Sequence, residues 1–160
     1  MRRGSRARTF RATASAVLAA PKETFHDAID LRESACHGPA RSTRFYEALG
    51  FRQNPNFSDD TAACMEWSET IYVMLLTHAK WRTFTSRPIP PASSSEVMLA
   101  LSCDSRSAVD AMNEAADAHG GRADINPIQD LGFLYNRNLG DPDGHVWEAM
   151  WMDPAAIPSN

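Results

Sequence analysis

One arrangement of elements occurs twice in the chain, and it constrains the fold more than any other feature. The dipeptide Arg-Ser at residues 41–42 and again at residues 106–107 opens a helical segment that ends at glycine, Gly50 or Gly120. Three segments with strand character follow each helix, and in the second half a strand also precedes it. The pattern predicts one α+β domain built from two βαβββ modules.

The module boundaries follow from turn residues and from the period of the apolar residues. Module one, residues 40–78, is predicted to contain a helix at 41–49 and strands at 51–57, 62–67 and 71–77. Residues 79–95 are the predicted linker, with a short helix at 79–84 and many Pro and Ser residues after it. Module two, residues 96–152, is predicted to contain strands at 96–102, 122–128, 132–139 and 145–152 and a helix at 106–119. The domain spans residues 40–154, and residues 155–160 form a tail.

The first 39 residues do not match this pattern. If both modules share the βαβββ order, module one should open with a strand near residues 28–39. The sequence there shows no apolar alternation. Residues 1–22 hold five Arg and no acidic residue, and the apolar stretch at 14–20 is short for a signal core. A transit or twin-Arg leader and a disordered head are the alternatives. We therefore expect an anomalous head at 1–39 and a module one whose first strand is missing or anomalous.

A reading-frame error before Ala40 is our hypothesis for this segment. Read one nucleotide later, the codons permitted for residues 30–39 can encode Ile-Phe-Val-Asn-Leu-Pro-Val-Thr-Asp-Leu. That sequence is a strand followed by a helix-capping Asp. The alternative is a divergent but genuine segment. The genomic sequence upstream of Ala40 decides between them, since an intact frame whose codons cannot encode that strand rules the hypothesis out.

Composition narrows the classes of partner and compartment. Residues 40–160 carry nine Lys or Arg against sixteen Asp or Glu, and an acidic body without basic stripes argues against nucleic acid and anionic membranes. Cys36, Cys64 and Cys103 form no CxxC pair and suit a reducing compartment, so we expect a cytoplasmic protein. No apolar run approaches the roughly 20 residues of a membrane span.

Two motifs carry a resemblance to a known family. Residues 45–51 read Phe-Tyr-Glu-Ala-Leu-Gly-Phe, and residues 141–148 read Asp-Pro-Asp-Gly-His-Val-Trp-Glu. With the repeat, they resemble the vicinal-oxygen-chelate superfamily of glyoxalase I, bleomycin-resistance proteins, fosfomycin-modifying enzymes and extradiol dioxygenases. Over residues 41–154 the chain is similar to small bacterial glyoxalase-like proteins. The resemblance implies paired half-barrels around a cavity and, because such modules often pair across chains, a homodimer.

The resemblance also implies where a metal would bind. Family members with catalysis hold Zn, Ni or Fe with one ligand from the first and one from the last strand of each module. Glu148 matches one of these positions, whereas two others fall on Leu75 and Val97 and the fourth lies in the anomalous head. One carboxylate beside two apolar side chains cannot hold such an ion. We expect no metal cofactor, and Glu148 is the candidate catalytic residue and the only retained metal ligand.

The turn after Asp141 decides which residues accompany Glu148. A three-residue loop with Gly144 in the left-handed conformation pairs Asn138 with Glu148 across two strands. Asn136 and Asn138 then face the cavity, whereas a four-residue loop would bring Arg137 there instead. The predicted substrate-binding residues are Asn136, Asn138, Leu75, Val97 and Met150.

We interpret the chain as a glyoxalase-like protein that binds a small organic molecule and has largely lost its metal site. The first alternative is a metal-dependent lyase or isomerase of the glyoxalase type that uses Glu148 with non-standard ligands, Glu96 or His78. The second is a protein that confers resistance by sequestering a drug. The sequence does not identify the substrate.

Overall fold

The computed structural model describes residues 29–95 and 97–157. Module one contains β1 (Asp30–Cys36), α1 (Pro39–Ala48), β2 (Arg52–Asn54), β3 (Ala62–Glu66) and β4 (Ile71–Thr77), and α2 (His78–Phe84) follows it. Module two contains β5 (Met98–Ser102), α3 (Arg106–Ala118), β6 (Gln129–Asp130), β7 (Leu134–Gly140) and β8 (Val146–Met152). No helix in these two ranges is long and apolar enough to cross a bilayer.

The two modules have the same topology. Their strand orders are β1-β4-β3-β2 and β5-β8-β7-β6, with the first and last strand of each module parallel and the other neighbours antiparallel. This confirms the predicted α+β fold of two βαβββ modules. The sheets are open and four-stranded, so neither module closes into a barrel.

The long helix α3 shows why the repeat folds as it does. The Ser105 side chain caps its first turn by accepting a hydrogen bond from the Ala108 N–H at 3.1 Å. Val109, Met112 and Ala116 recur three and four residues apart, and all three are buried in the core. Gly120 follows the helix with φ +89°, a conformation that glycine adopts without strain.

Strand β1 is present, so the first strand of module one is not missing. All seven of its residues pair in parallel with β4, from Asp30 opposite Ile71 to Cys36 opposite Thr77. Backbone hydrogen bonds to a neighbouring strand form whatever the side chains are, and they place this segment without the apolar alternation that the prediction required.

The face of β1 that meets the core is polar at its first three positions, Asp30, Arg32 and Ser34, and ends at the buried Cys36. Arg32 pairs with Asp30 at 2.6 Å, and Ser34 is 5% exposed, although their partners in β4 on that face are the fully buried Val73 and Leu75. At positions 30, 32, 34 and 36 the alternative frame supplies Ile, Val, Leu and Val. At position 38 it supplies Asp, where α1 begins without a side-chain cap. The reading-frame hypothesis stays a prediction. The register of β1 shows which face of the strand each residue of the alternative sequence would occupy.

Among the boundaries that differ from the prediction, two have a clear physical reason. Helix α1 begins at Pro39 rather than at residue 41, because proline fits the first helical position. The strand predicted at residues 122–128 is wrong: only an isolated bridge joins Arg122 to Gly140, and the edge strand of this sheet is β6. Asp124 has φ +48°, which interrupts an extended strand.

One core joins the two modules. The ring of Trp147 on β8 meets Tyr46 of α1 edge to face at 6.0 Å, and it meets Phe51 at 5.9 Å. The Tyr46 hydroxyl donates to Asp141 Oδ2 at 2.9 Å and accepts from Trp147 Nε1 at 3.1 Å. Burial raises the pKa of both Asp141 and Tyr46, the latter well above its ordinary value. These contacts bind helix α1 of module one to the β7–β8 turn of module two.

We expect Tyr46→Phe to lower the free energy of unfolding by about 1–3 kcal/mol, because it leaves Asp141 Oδ2 and the Trp147 N–H without their hydrogen-bond partner in the core. Urea unfolding measures the loss. Tyr72→Phe is the matched control, since that hydroxyl donates to the Glu69 carbonyl at the surface, and we expect a change within about 0.5 kcal/mol. Equal losses in the two variants would contradict a structural role for the buried hydroxyl.

Candidate functional site

Glu148 lies on the face of the second sheet that points away from α3. Its neighbours along β8, Trp147 and Ala149, are 1% and 0% exposed in the core, so strand alternation turns Glu148 to the other face. On one side Asn138 of β7 is its partner, with Asn138 Nδ2 3.3 Å from Glu148 Oε2. On the other side its partner is Ala100 of β5.

The β7–β8 turn fixes this register. Gly144 has φ +96°, and the Asp141 N–H donates to the His145 carbonyl at 2.9 Å, which closes the three-residue loop that the sequence predicted. Asp141 Oδ1 also accepts hydrogen bonds from the backbone N–H of Asp143 and of His145. The predicted pairing of Asn138 with Glu148 is therefore confirmed.

The alternative register, with Arg137 beside Glu148, is not observed. Arg137 lies on the opposite face of β7, where its guanidinium donates to Asp110 at 2.9 Å and to Asp124 at 2.7 Å. Hydrogen bonds from the Tyr135 hydroxyl and then from Arg137 lower the pKa of Asp110, and the hydrogen bonds from Arg137 lower that of Asp124. This network joins α3 to the face of the second sheet that is opposite Glu148. It therefore does not contribute to the surface around Glu148.

Two more predicted residues lie beside this pair. Asn136 is two residues before Asn138 on the same face, opposite Met150 of β8. Asn136 Nδ2 is 3.3 Å from Gln129 Oε1, and Asn136 Oδ1 is buried with no hydrogen-bond partner in the described part of the chain. The structure therefore brings together four of the six predicted site residues: Asn136, Asn138, Glu148 and Met150.

The other two are placed elsewhere. Leu75 is fully buried in the core that faces the helices, so the prediction that it lines the site is wrong. Its neighbours Met74 and Leu76 lie on the other face of β4. Val97 precedes β5, where Ala100 rather than Val97 lies opposite Glu148. Val97 is 58% exposed and lines a different cavity.

The residues around Glu148 do not fit a divalent metal. Its strand partners are an amide and an alanine, and Val146 and Met150 flank it along β8. Within residues 29–95 and 97–157 no three His, Cys, Asp or Glu side chains lie close enough to hold an ion. Zn, Ni and Fe sites need several nitrogen, oxygen or sulfur ligands that converge on one point. One carboxylate with these neighbours does not supply them.

Of the two rival ligands, only His78 belongs to the described residues, and its aromatic neighbour is His37. The His78 ring lies 4.5 Å from the His37 ring, and burial followed by the nearby His37 lowers the pKa of His78. Glu96 lies outside the described residues.

A polar cluster between the modules was missed by the sequence analysis. The backbone N–H of His37 donates to Asp143 Oδ1, its Nδ1 lies 2.8 Å from the same oxygen, and Ser42 Oγ donates to Asp143 Oδ2 at 2.7 Å. Burial alone would raise the pKa of Asp143, but these hydrogen bonds outweigh it and the pKa is lowered. Its partners lie about a hundred residues away in the chain, so no local pattern reveals them.

No protein-family model and no curated protein matches the chain. Solved structures do. A glyoxalase/bleomycin resistance protein/dioxygenase family enzyme from Burkholderia phytofirmans is 15% identical, with a TM-score of 0.67 over 79% of this chain and 99% of that one.

Two further solved structures show the same likeness. A glyoxalase/bleomycin resistance protein/dioxygenase from Nocardioides is 21% identical, with a TM-score of 0.61 over 83% of this chain and 88% of that one. A hypothetical protein from S. aureus is 20% identical, with a TM-score of 0.65 over 76% and 91%. The topology, the turn register and these likenesses agree: the chain has the paired-module fold of the vicinal-oxygen-chelate superfamily, the glyoxalase, bleomycin-resistance and dioxygenase proteins.

Proposed function

We propose that the chain binds a small organic molecule beside Glu148 and does so without a metal. The observation that carries the proposal is a single carboxylate, held by the Asn138 amide and otherwise bordered by apolar side chains. We call this surface the Glu148 face; its members are Met98, Ala100, Asn136, Asn138, Val146, Glu148 and Met150. Small-molecule sites are mostly apolar with a few polar groups that orient the ligand, and this composition matches that description.

The Glu148 face has the properties of an adaptable binding surface. Met98 is 57% exposed, and Met150 is partly exposed beside Glu148. Methionine side chains are flexible and polarisable, so they pack against ligands of different shapes. The carboxylate adds one strong acceptor, which suits a ligand that carries an O–H or N–H donor.

The same residues limit the chemistry. Glu148 can accept or return a proton on a bound molecule, as a general base or acid does. A glyoxalase-type lyase, by contrast, would need a metal held beside it, and the neighbouring side chains do not offer ligands. The structural neighbours carry glyoxalase-family names. For this chain we propose ligand binding rather than glyoxalase-type catalysis.

Metal analysis tests the metal-free part of the proposal. We expect protein purified in the presence of Zn²⁺ or Ni²⁺ to carry far less than one equivalent after gel filtration, because Glu148 has no partner ligand. Inductively coupled plasma mass spectrometry gives the ratio. Stoichiometric metal that is lost in Glu148→Gln but kept in Glu114→Gln, an exposed glutamate of α3, would instead support the lyase alternative.

Thermal-shift screening tests the binding part. Against a panel of cationic drugs, α-keto acids and neutral compounds with O–H or N–H donors, we expect at least one donor-bearing compound to raise the Tm in proportion to the logarithm of its concentration. Glu148→Gln should abolish the rise, because it removes the charge and keeps the shape, while Glu114→Gln should keep it. A rise that survives in Glu148→Gln, or none for any compound, would contradict binding at this face. A response restricted to the cationic drugs would favour the drug-sequestering alternative.

We propose further that a second copy of the chain covers this open face. Met98, Met152 and Leu131, which all belong to or border the second sheet, are 57%, 39% and 60% exposed. Apolar side chains gathered on one sheet are typical of a protein interface. A partner over them would turn the open face into the concave pocket that a ligand needs.

Light scattering after gel filtration tests this homodimer. We expect the unmodified chain to elute with twice its 17.7 kDa mass and Met152→Lys to shift it to the monomer, since a buried unpaired charge opposes association. Phe57→Lys changes an exposed aromatic residue after β2 in the other sheet and should leave the dimer intact. A monomeric unmodified chain would overturn the proposal.

A further inference from the structure

One carboxylate oxygen of Glu148 is accessible and has no partner. Asn138 Nδ2 lies 3.3 Å from Oε2, whereas Oε1 accepts no hydrogen bond from the described part of the chain. Among the described residues, the buried side-chain atoms that lack a partner are Trp81 Nε1, Asn113 Oδ1 and Asn136 Oδ1. Glu148 Oε1 is not one of them, so it is an acceptor that a molecule on the Glu148 face can reach.

The charge of Glu148 is also unmatched. Unpaired carboxylates are ordinary on an exposed surface, but Glu148 is only partly exposed between Val146 and Met150. Within residues 29–95 and 97–157 it forms no ion pair, whereas an arginine pairs with each of Asp30, Glu66, Asp110, Asp124 and Asp130. Arg137 on the neighbouring strand lies on the opposite face and is already held by two of these carboxylates.

The first sheet shows how the same kind of pair is completed within this chain. Asn54 Nδ2 donates to Glu66 Oε1 at 2.7 Å. The Arg52 guanidinium donates to the other oxygen, Oε2, through Nε at 3.0 Å and Nη2 at 2.6 Å. An amide on one oxygen and a guanidinium on the other thus satisfy one carboxylate. Asn138 and Glu148 repeat the first half of this arrangement, and no described residue supplies the second half.

We infer that the ligand of the Glu148 face carries an amidinium or guanidinium group on an apolar body. This group would occupy the place at Glu148 that Arg52 occupies at Glu66, and the inference rests on the proposed function. Because the face is open to water, a neutral hydrogen bond contributes little there, whereas a charge-assisted one is about twice as strong. The apolar body packs against Val146 and Met150, which flank Glu148 on the same face of β8.

Benzamidine, benzamide and benzylamine are the probes, because they share a ring and differ in the group that meets Glu148. Benzamidine is a planar cation with two parallel N–H donors, benzamide is its neutral counterpart, and benzylamine is a cation without the planar fork. Isothermal titration calorimetry measures the three affinities. We expect benzamidine to bind about tenfold more tightly than either of the others, since the charge and the fork each strengthen the contact with a carboxylate.

Two variants locate the binding. Glu148→Gln should lower the affinity for benzamidine to that for benzamide, because it removes the charge and keeps the shape. Glu66→Gln is the matched control, a second glutamate that is held by an asparagine. Its carboxylate is already occupied by Arg52, so this variant should leave the affinity for benzamidine unchanged.

The outcomes separate this inference from the proposed function. No binding of benzamidine, an affinity for benzamide or benzylamine that equals or exceeds it, or benzamidine binding that survives in Glu148→Gln would each overturn the inference. The proposed function would still stand if a neutral compound with an O–H or N–H donor raised the Tm only when Glu148 is present. If no compound bound in either experiment, both would be wrong.

Discussion

The buried carboxylate of Asp141 is the constraint on which the arrangement of both modules depends. One of its oxygens accepts two backbone hydrogen bonds inside the β7–β8 turn, and the other accepts the hydroxyl of Tyr46 from module one. A carboxylate taken out of water is tolerated only when it is bonded in this way. The same group therefore closes the turn, fixes the register of β8 and docks α1. Glu148 inherits its position from that register, since a slip of one residue would turn it into the core.

The part of the site that local turn chemistry controls could be predicted from sequence. Gly144 marks a three-residue loop, the loop sets the pairing of β7 with β8, and the pairing places Asn138 opposite Glu148. Leu75 shows where that reasoning fails. Residues 73–76 of β4 are all apolar, so no alternation tells which of them face the helices, and counting from a motif assigned the wrong face. Val97 was assigned wrongly in place of Ala100 for a related reason, because the partner of Glu148 in β5 is set by a parallel pairing that leaves no local signal.

In β1 the backbone meets the requirements of the fold, whereas several side chains do not. The sheet needs a strand beside β4, and the backbone of residues 30–36 satisfies it. The core needs apolar side chains on one face of that strand, and Asp30, Arg32 and Ser34 do not satisfy it. The alternative reading frame would satisfy both requirements and would add a capping Asp at the start of α1. A one-nucleotide shift is thus compatible with both demands, the face of a strand and the cap of a helix.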